Sequence, residues 1–315
     1  MYTTFFSLLW VMMPLVVGFM CKLPMTSRAY HWSHSLITFC LCAILFITGG
    51  SLATMDDLGE EVKNVFVQGL CILSVTLFLN IVFLWLAHAR KRIQKKEHHL
   101  DADDKKGILI FSLKQVVWLV IGFAVGYFVP FWVKASATAV DILLWLILFT
   151  IGFQLRSRGV SLWSALFNKG GIEITFFFLL SCWVASWLVS LVLPELTFLQ
   201  SLAINSGFGW YSLSSGLISN AYGPFWGAVA LINDLGREII SFVLIPPLMR
   251  FSSAAAIGIT GSTSLDFTLP VIKKTGGIHV VPRAISFGFI TTLLSPLLMT
   301  VFTQLSKLSL SLIHI

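Results

Sequence analysis

The sequence predicts an all-α polytopic membrane protein with eight to ten transmembrane segments, inverted repeats and two broken or re-entrant helices. Of its 315 residues, 57% are hydrophobic and 11% are charged, whereas a soluble chain carries about 25% charged residues. The mean hydropathy is +0.89. Such a chain cannot cover its apolar surface in water. This excludes a soluble enzyme, a nucleic-acid module and a disordered protein.

Six apolar stretches are long enough for helices that cross the membrane, since a crossing helix needs about 20 residues. They are residues 4–22, 35–55, 64–88, 108–130, 137–155 and 171–193. The first stretch has no Lys or Arg before it, as a cleaved signal peptide would require. We therefore expect it to be a permanent span.

The C-terminal third of the chain is less regular. Residues 197–219 are interrupted by glycines and serines, and residues 253–272 are small, polar-laced and contain a proline. Residues 224–249 are apolar but carry three charged side chains near their middle, and residues 282–306 form a clear last span. Because Gly and Pro interrupt helices, we expect 197–219 and 253–272 to be the broken or re-entrant segments.

The charges of the loops predict an orientation. Residues 89–106 hold seven Lys or Arg against four acids, 156–169 hold three and no acid, and 22–34 hold two, whereas 56–61 are acidic. Basic loops are cytoplasmic by the positive-inside rule, which places the N-terminus on the outer side of the membrane. The net charge of +7 is then explained by loops that contact anionic lipid. The acids mixed into the longest basic loop argue against a nucleic-acid partner.

Motifs for enzymatic catalysis or metal binding are missing from the sequence. None of the five cysteines forms a Cys-x-x-Cys pair, and the seven histidines lie in loops or at span ends without metal-ligand spacing. There is no Gly-x-Ser-x-Gly elbow, phosphate-binding loop or dinucleotide-binding GxGxxG. We therefore expect neither an enzyme nor a bound metal or cofactor.

The first two spans recur later in the chain. Residues 8–19 align with 116–127, and residues 44–52 align with 147–155, at similar spacing in both copies. Three spans separate the copies, so the copies would lie upside down relative to each other, which is a transporter architecture. The predicted organisation is an N-terminal repeat, a basic loop, a second repeat and a transport core. Their bounds are 1–88, 89–107, 108–195 and 196–315.

Three acids lie deep in apolar segments. A charge at the bilayer centre costs at least about 2.5–3.5 kcal/mol, so Asp234, Glu238 and Asp266 are candidates for function. Asp234 and Glu238 are four residues apart and share a helix face. Arg237 could instead pair with Asp234 in a buried ion pair that orders helix packing. Asp266 could also be a loop acid at the surface.

The segment 205–216 offers a second set of polar groups. Its glycines free the backbone, and an exposed helix N-terminus there would attract a carboxylate. The rings of Trp210 and Tyr211 could face an ammonium group, or could form an interfacial belt. The candidate residues for binding a substrate or ion are Glu238, Asp266, Asp234, Arg237, Asn233, Ser206, Trp210, Tyr211, Ser212, Ser214 and Ser264.

Four sequence blocks in the C-terminal half carry a family resemblance. SGFGWYSLSSGLI (206–218), GPFWGAVALINDLGREII (223–240), GSTSLDFTLPVIKKTGG (261–277) and VPRAISFGFI (281–290) resemble the LysO-type bacterial lysine exporters. The first 195 residues resemble that family less specifically. The resemblance implies export of L-lysine across the inner membrane, with thialysine as a second substrate.

The resemblance also implies that Glu238 and Asp266 are required for transport. It further implies a relation to the cation/proton antiporter and bile-acid symporter group, in which a core containing residues 200–272 would move against a scaffold. Homo-oligomerisation is left open. The rival interpretations are an exporter of another cationic amino acid or an inorganic ion, and a membrane receptor or enzyme.

Electrostatics predict that such export is coupled to an ion. Moving the single positive charge of lysine outward against an inside-negative potential costs about 2.3 kcal/mol per 100 mV. Exchange for one incoming proton or sodium ion cancels that cost. We expect Glu238 and Asp266 to hold the ion and the lysine ammonium in turn, with residues 205–216 holding the lysine carboxylate.

Overall fold

The computed structural model describes an all-α membrane protein. It describes residues 13–14, 16–21, 27–54, 58–88, 117–129, 137–157 and 167–313. The helices are α1 (Ser27–Ala53), α2 (Leu58–His88), α3 (Val117–Phe128), α4 (Ala137–Ser157), α5 (Lys169–Val192), α6 (Phe198–Asn205), α7 (Tyr211–Tyr222), α8 (Pro224–Phe251), α9 (Ser253–Gly258), α10 (Leu269–Gly276) and α11 (Val281–Ile313). No strand occurs in these ranges. The predicted basic loop 89–107 and most of the predicted first span lie outside the described residues.

Apolar composition and length account for the long helices. Within the described ranges, three helical stretches are long and apolar enough to cross a membrane, namely Glu60–His88, Lys169–Val192 and Ile278–Ser309. The predicted spans 64–88, 171–193 and 282–306 coincide with these stretches to within a few residues. Helix α1 begins at Ser27, eight residues before the predicted span, because the polar residues that precede the apolar run continue the helix.

Basic residues collect at one end of the molecule, which we call the basic end. Lys169 begins α5, and the adjacent Gly170 packs against the side chain of Arg283 near the start of α11. Arg250 lies in the last turn of α8, and Lys273 and Lys274 in the last turn of α10. Helices α2 and α8 run toward the basic end, and α5 and α11 run away from it.

Residues 198–222 form a hairpin rather than a crossing helix. It consists of α6, the tip 206–210 and α7, and we call it the first hairpin. Its entrance follows Glu195, whose carboxylate accepts a hydrogen bond from Gln68 of α2 (2.9 Å). Its exit is at Tyr222, whose hydroxyl contacts that of Ser306 near the end of α11 (2.6 Å). Both legs therefore meet the end of the molecule opposite the basic end.

Residues 253–276 form a second hairpin that enters from the basic end. Its legs are α9 and α10, and its tip contains a 3-10 turn, Gly261–Leu265. The chain enters directly after Phe251, at the end of α8. The chain leaves the hairpin at Gly276, which packs against Met249 near the end of α8. The two hairpins thus start from opposite ends and point their tips toward each other.

Helices α1, α3 and α4 and residues 16–20 pack through glycines, and we call them the glycine-packed unit. A Cβ atom at Gly18 would lie 2.0 Å from the carbonyl oxygen of Phe149 on α4. A Cβ at Gly122 on α3 would lie 2.0 Å from the carbonyl oxygen of Phe46 on α1. Only glycine permits these backbone approaches. The remaining helices, α2 and α5 to α11, form what we call the hairpin core.

Candidate functional site

The centre of the hairpin core is a row of polar side chains on α8. Asn233, Asp234, Arg237, Glu238 and Ser241 are all at most 1% exposed. The helix spacing places these residues on one side of α8, and both hairpin tips lie against that side. The site is therefore built by one long helix that contacts two tips.

Asp234 holds the tip of the first hairpin. Its Oδ1 accepts hydrogen bonds from the backbone N–H of Gly209 (3.0 Å) and from Nδ2 of Asn233 (3.1 Å). A Cβ at Gly207 would lie 2.0 Å from Oδ2 of Asp234, so a side chain at this position would displace the carboxylate. The sequence predicts that the start of α7 binds a substrate carboxylate. In the structure, the residues just before α7 are already bound to the carboxylate of Asp234.

Arg237 lies one turn further along α8 and faces the second hairpin. Its Nη1 donates to the carbonyl oxygen of Ile259 at 3.4 Å, and Oγ of Ser241 donates to the same oxygen at 3.1 Å. Its Cζ lies 5.7 Å from the ring centroid of Phe178 on α5. Asp234 and Arg237 make no ion pair within 4.0 Å, although the two side chains interact electrostatically at longer range.

Glu238 and Asp266 come close enough to interact electrostatically. Glu238 is buried, and its Oε2 has no hydrogen-bond partner in the part of the chain that the structure describes. Asp266 follows the 3-10 turn of the second hairpin, is exposed, and accepts a hydrogen bond from the N–H of Phe267 (2.6 Å). One acid of the pair is therefore enclosed and the other is accessible.

The two hairpin tips are joined by hydrogen bonds. The carbonyl oxygen of Phe208 accepts from the N–H of Ser262 (2.9 Å) and from its Oγ (3.2 Å). Gly261 has φ +61° and lies against that same carbonyl, so a Cβ there would be both strained and obstructed. The tips therefore contact each other through backbone groups.

The other predicted site residues lie around these tips. Ser206 and Ser264 donate to the carbonyl oxygens of Leu202 and Ala284, so their hydroxyls support the backbone. Ser214 donates to the carbonyl oxygen of Tyr211 at 3.4 Å. Ser212 and Tyr211 are buried, whereas Trp210, which precedes α7, is half-buried. Ser264 thus belongs to the tip of the second hairpin, and the other five residues belong to the tip of the first hairpin or to the start of α7.

Several polar residues at the site were missed by sequence reasoning. Asn205, at the end of α6, accepts from Oγ1 of Thr76 (2.9 Å) and donates to Oγ of Ser186 (2.9 Å). Asn80 on α2 accepts from the hydroxyl of Ser181 on α5. Charges within apolar runs stand out in the sequence, whereas the uncharged amides of Asn80 and Asn205 in such runs were the signal that would have indicated these residues. Among the residues described, no group of His, Cys, Asp and Glu could hold a metal ion.

Comparisons with known proteins identify the family of this chain. The family described as lysine exporter LysO matches residues 116–303. The chain is 35% identical to the lysine exporter LysO of Escherichia coli K12 over 95% of its own length and 99% of that protein. The chain belongs to the LysO lysine exporter family.

Further comparisons are in line with this assignment. The chain is 44% identical to a Haemophilus influenzae protein with a provisional name as a lysine exporter, over 59% of this chain and 95% of that protein. No solved structure matches significantly. Membership of the LysO family makes the chain a transporter and not an enzyme, and it confirms the resemblance carried by the four C-terminal sequence blocks.

Proposed function

We propose that this protein is a secondary transporter that exports L-lysine, and thialysine with it, across the bacterial inner membrane. One observation carries the proposal. The buried carboxylate of Glu238 is within electrostatic range of the exposed carboxylate of Asp266, in a chain whose E. coli relative is named a lysine exporter. A pair of acids at this depth suits a substrate with ammonium groups.

The chemistry of exchange follows from this pair of acids. A lysine with net charge +1 that reaches Asp266 can pass an ammonium group to Glu238 only if the two acids lose any other cation they hold. An incoming proton or sodium ion would occupy the same carboxylates after lysine leaves. Competition of two cations for one acidic pair therefore couples export to uptake of the ion, and it cancels the electrical cost of moving lysine outward.

The two hairpins support an alternating-access mechanism. The first hairpin borders the end of the site away from the basic end, and the second borders the other end. Under the positive-inside rule the basic end is cytoplasmic. The N-terminus is then in the periplasm, and α11 runs from the cytoplasmic side to the periplasmic side. Asp266, on the second hairpin, then meets lysine from the cytoplasm first.

The packing of the glycine-packed unit supports inverted repeats. The predicted repeat pairs residues 8–19 with 116–127, and Phe46 with Phe149. In the structure, Gly18 of the first copy contacts Phe149, and Gly122 of the second copy contacts Phe46. The glycine-bearing segment of each copy thus packs against the second helix of the other copy, although Gly126, the counterpart of Gly18, contacts Gly50 rather than Phe46. Helices α2 and α5 also run in opposite directions, as inversion requires.

Transport in a defined membrane tests the proposal. Purified protein is reconstituted into liposomes loaded with labelled L-lysine, and a pH gradient or a sodium gradient is imposed. We expect lysine efflux to accelerate in one of the two gradients and to be absent from protein-free liposomes. Efflux of ornithine, arginine and thialysine measured in parallel ranks the substrates. No lysine efflux in either gradient, from protein that remains folded, would refute the proposal.

A further inference from the structure

Arg237 is a buried cation whose hydrogen-bonding capacity is largely unused. Its side chain is 0% exposed, yet its Nε and Nη2 have no partner among the residues that the structure describes. Its one hydrogen bond, from Nη1 to Ile259, is long at 3.4 Å. A guanidinium remains charged at all relevant pH values, so this arrangement is costly in a membrane interior unless something else completes it.

A second unused donor lies against the same stretch of α5. Nδ2 of Asn80 has no partner in the described ranges, whereas its Oδ1 accepts from Ser181 and, at 3.6 Å, from Sγ of Cys182. Cys182 also lies near Arg237, and Phe178, one turn away on α5, lies under the guanidinium. Donors from α2 and from α8 thus converge on residues 178–182.

The internal acids do not satisfy these donors. Asp234 is bound to the tip of the first hairpin through Gly209 and makes no ion pair with Arg237 within 4.0 Å. Glu238 makes no such pair either. Asp234 compensates the charge of Arg237 at longer range, but Nε and Nη2 still have no acceptor among the described residues. A ligand carboxylate would supply one, because it matches the two parallel N–H directions of a guanidinium.

We propose that Arg237, with Asn80, binds the α-carboxylate of the amino-acid substrate, and that Oε2 of Glu238 receives one of its ammonium groups. The inference rests on the proposed function and assigns a specificity subsite within it. Unused donors at Arg237 and an unused acceptor at the next residue, Glu238, are complementary to a ligand that carries both charges. The site then selects amino acids over diamines of the same length.

The experiment compares L-lysine with 1,5-diaminopentane, which is lysine without its carboxylate. In proteoliposomes, each compound competes with labelled lysine for exchange, and lysinamide serves as a third competitor with the carboxylate neutralised. We expect the wild-type protein to prefer lysine over either analogue by about 10- to 100-fold, the value of charge-assisted hydrogen bonds. In Arg237→Gln this preference falls to within about threefold, with residual exchange measured at raised lysine concentration.

Matched variants separate recognition from folding. Arg237→Lys keeps the charge without the planar fork, and we expect it to keep part of the preference. Asn80→Ala should reduce the preference by a smaller factor. Arg250→Gln, at an exposed arginine at the end of α8, should leave the preference at the wild-type value.

The possible outcomes are distinct. Wild-type protein that exchanges lysine but is inhibited equally by 1,5-diaminopentane would overturn the Arg237 subsite and leave lysine export standing. That measurement needs no variant, so a misfolded Arg237→Gln does not block it. A preference that persists in Arg237→Lys and Asn80→Ala at the full wild-type value would also overturn the subsite. Wild-type protein that exchanges no lysine would overturn both proposals.

Discussion

The glycine-packed unit and the hairpin core differ in how completely their buried polar side chains are hydrogen-bonded. In the glycine-packed unit, the described buried polar residues all have hydrogen-bond partners, as when Gln154 donates to Ser33 across α4 and α1 (3.0 Å). In the hairpin core, Asn80, Arg237 and Glu238 keep buried atoms without partners. A complete set of hydrogen bonds suits a rigid support, whereas an incomplete set suits a site that a ligand completes.

The same two regions also differ in how their backbones meet. The glycine-packed unit joins helices along their sides, with carbonyls pressed against glycines. The hairpin core joins two tips end to end through Phe208 and Ser262. Side-by-side contacts resist relative movement over their whole length, while a contact between two tips is small and can be remade. Substitutions in the two regions should therefore change different properties.

The largest effect on transport is expected for Glu238→Gln. A neutral amide keeps the shape but can neither hold a proton nor pair with an ammonium group, so lysine efflux should fall by at least about 100-fold. The folded yield should not fall, since a buried charge is removed. Efflux and thermal unfolding are measured on the same preparation. Glu60→Gln, at an exposed position of α2, is the control, and normal efflux by Glu238→Gln would exclude Glu238 from the mechanism.

A smaller effect on transport is expected for Asn205→Leu. Asn205 ties the first hairpin to α2 and α5 through two hydrogen bonds, so its loss should release the tip and lower the efflux rate by about tenfold. Gln154→Leu removes an interhelical hydrogen bond in the glycine-packed unit, worth about 0.6 kcal/mol in membranes. Its efflux rate should stay within about twofold of wild type. Equal rates for the two variants would contradict the division into site and support.

Gly122→Ala should act on stability more than on transport. The added Cβ meets the carbonyl of Phe46 at 2.0 Å, and such overpacking costs about 1–3 kcal/mol. We expect a lower unfolding temperature and yield, with efflux per folded molecule within about twofold of wild type. Val125→Ala, at an exposed position of the same helix, is the control. A loss of transport without a loss of stability would place α3 in the mechanism.

Only a small effect on transport is expected for Ser262→Ala. The substitution removes the 3.2 Å hydroxyl contact with Phe208 but keeps the 2.9 Å backbone contact. The efflux rate should change by no more than about threefold, since a single interhelical hydrogen bond averages about 0.6 kcal/mol. A tenfold change would mean that the hydroxyl itself binds the substrate or the ion, and a shift in the lysine concentration for half-maximal efflux would show it.

Much of the fold follows from the sequence because apolar length and helix-breaking residues are local signals. Glycines and serines in 197–219 correctly indicated irregularity there, and four of the site residues, Asp234, Arg237, Glu238 and Asp266, stand out as charges in apolar surroundings. The sequence did not predict which groups these side chains bind. Helix spacing suggested that Asp234 pairs with Arg237, but the unsatisfied N–H of Gly209, 25 residues away, takes the carboxylate.

The remaining features depend on contacts that no local pattern encodes. Gly18 and Gly122 matter because of the carbonyls of Phe149 and Phe46, which only the packed structure brings near. Nothing in the sequence distinguishes Asn80 from other amides. Its proposed role depends on Arg237, which lies on a different helix. Intramembrane charges are visible in a sequence because they are rare, whereas buried amides are recognised only once their neighbours are known.

The shortness of the hairpin legs sets an order for biosynthesis. Helices α6, α7, α9 and α10 contain 8, 12, 6 and 8 residues, so none exceeds about 18 Å, against a hydrocarbon core of about 30 Å. The first tip also relies on Ser295 of α11, which donates to the carbonyls of Ser206 and Gly207. The carbonyl of Gly207 also accepts from the N–H of Trp210, but lipid offers the carbonyl of Ser206 no partner. We therefore expect the first hairpin to reach its native depth only after α11 has been synthesised. Ribosome-bound chains that stop before Ser295 should leave that hairpin accessible to protease.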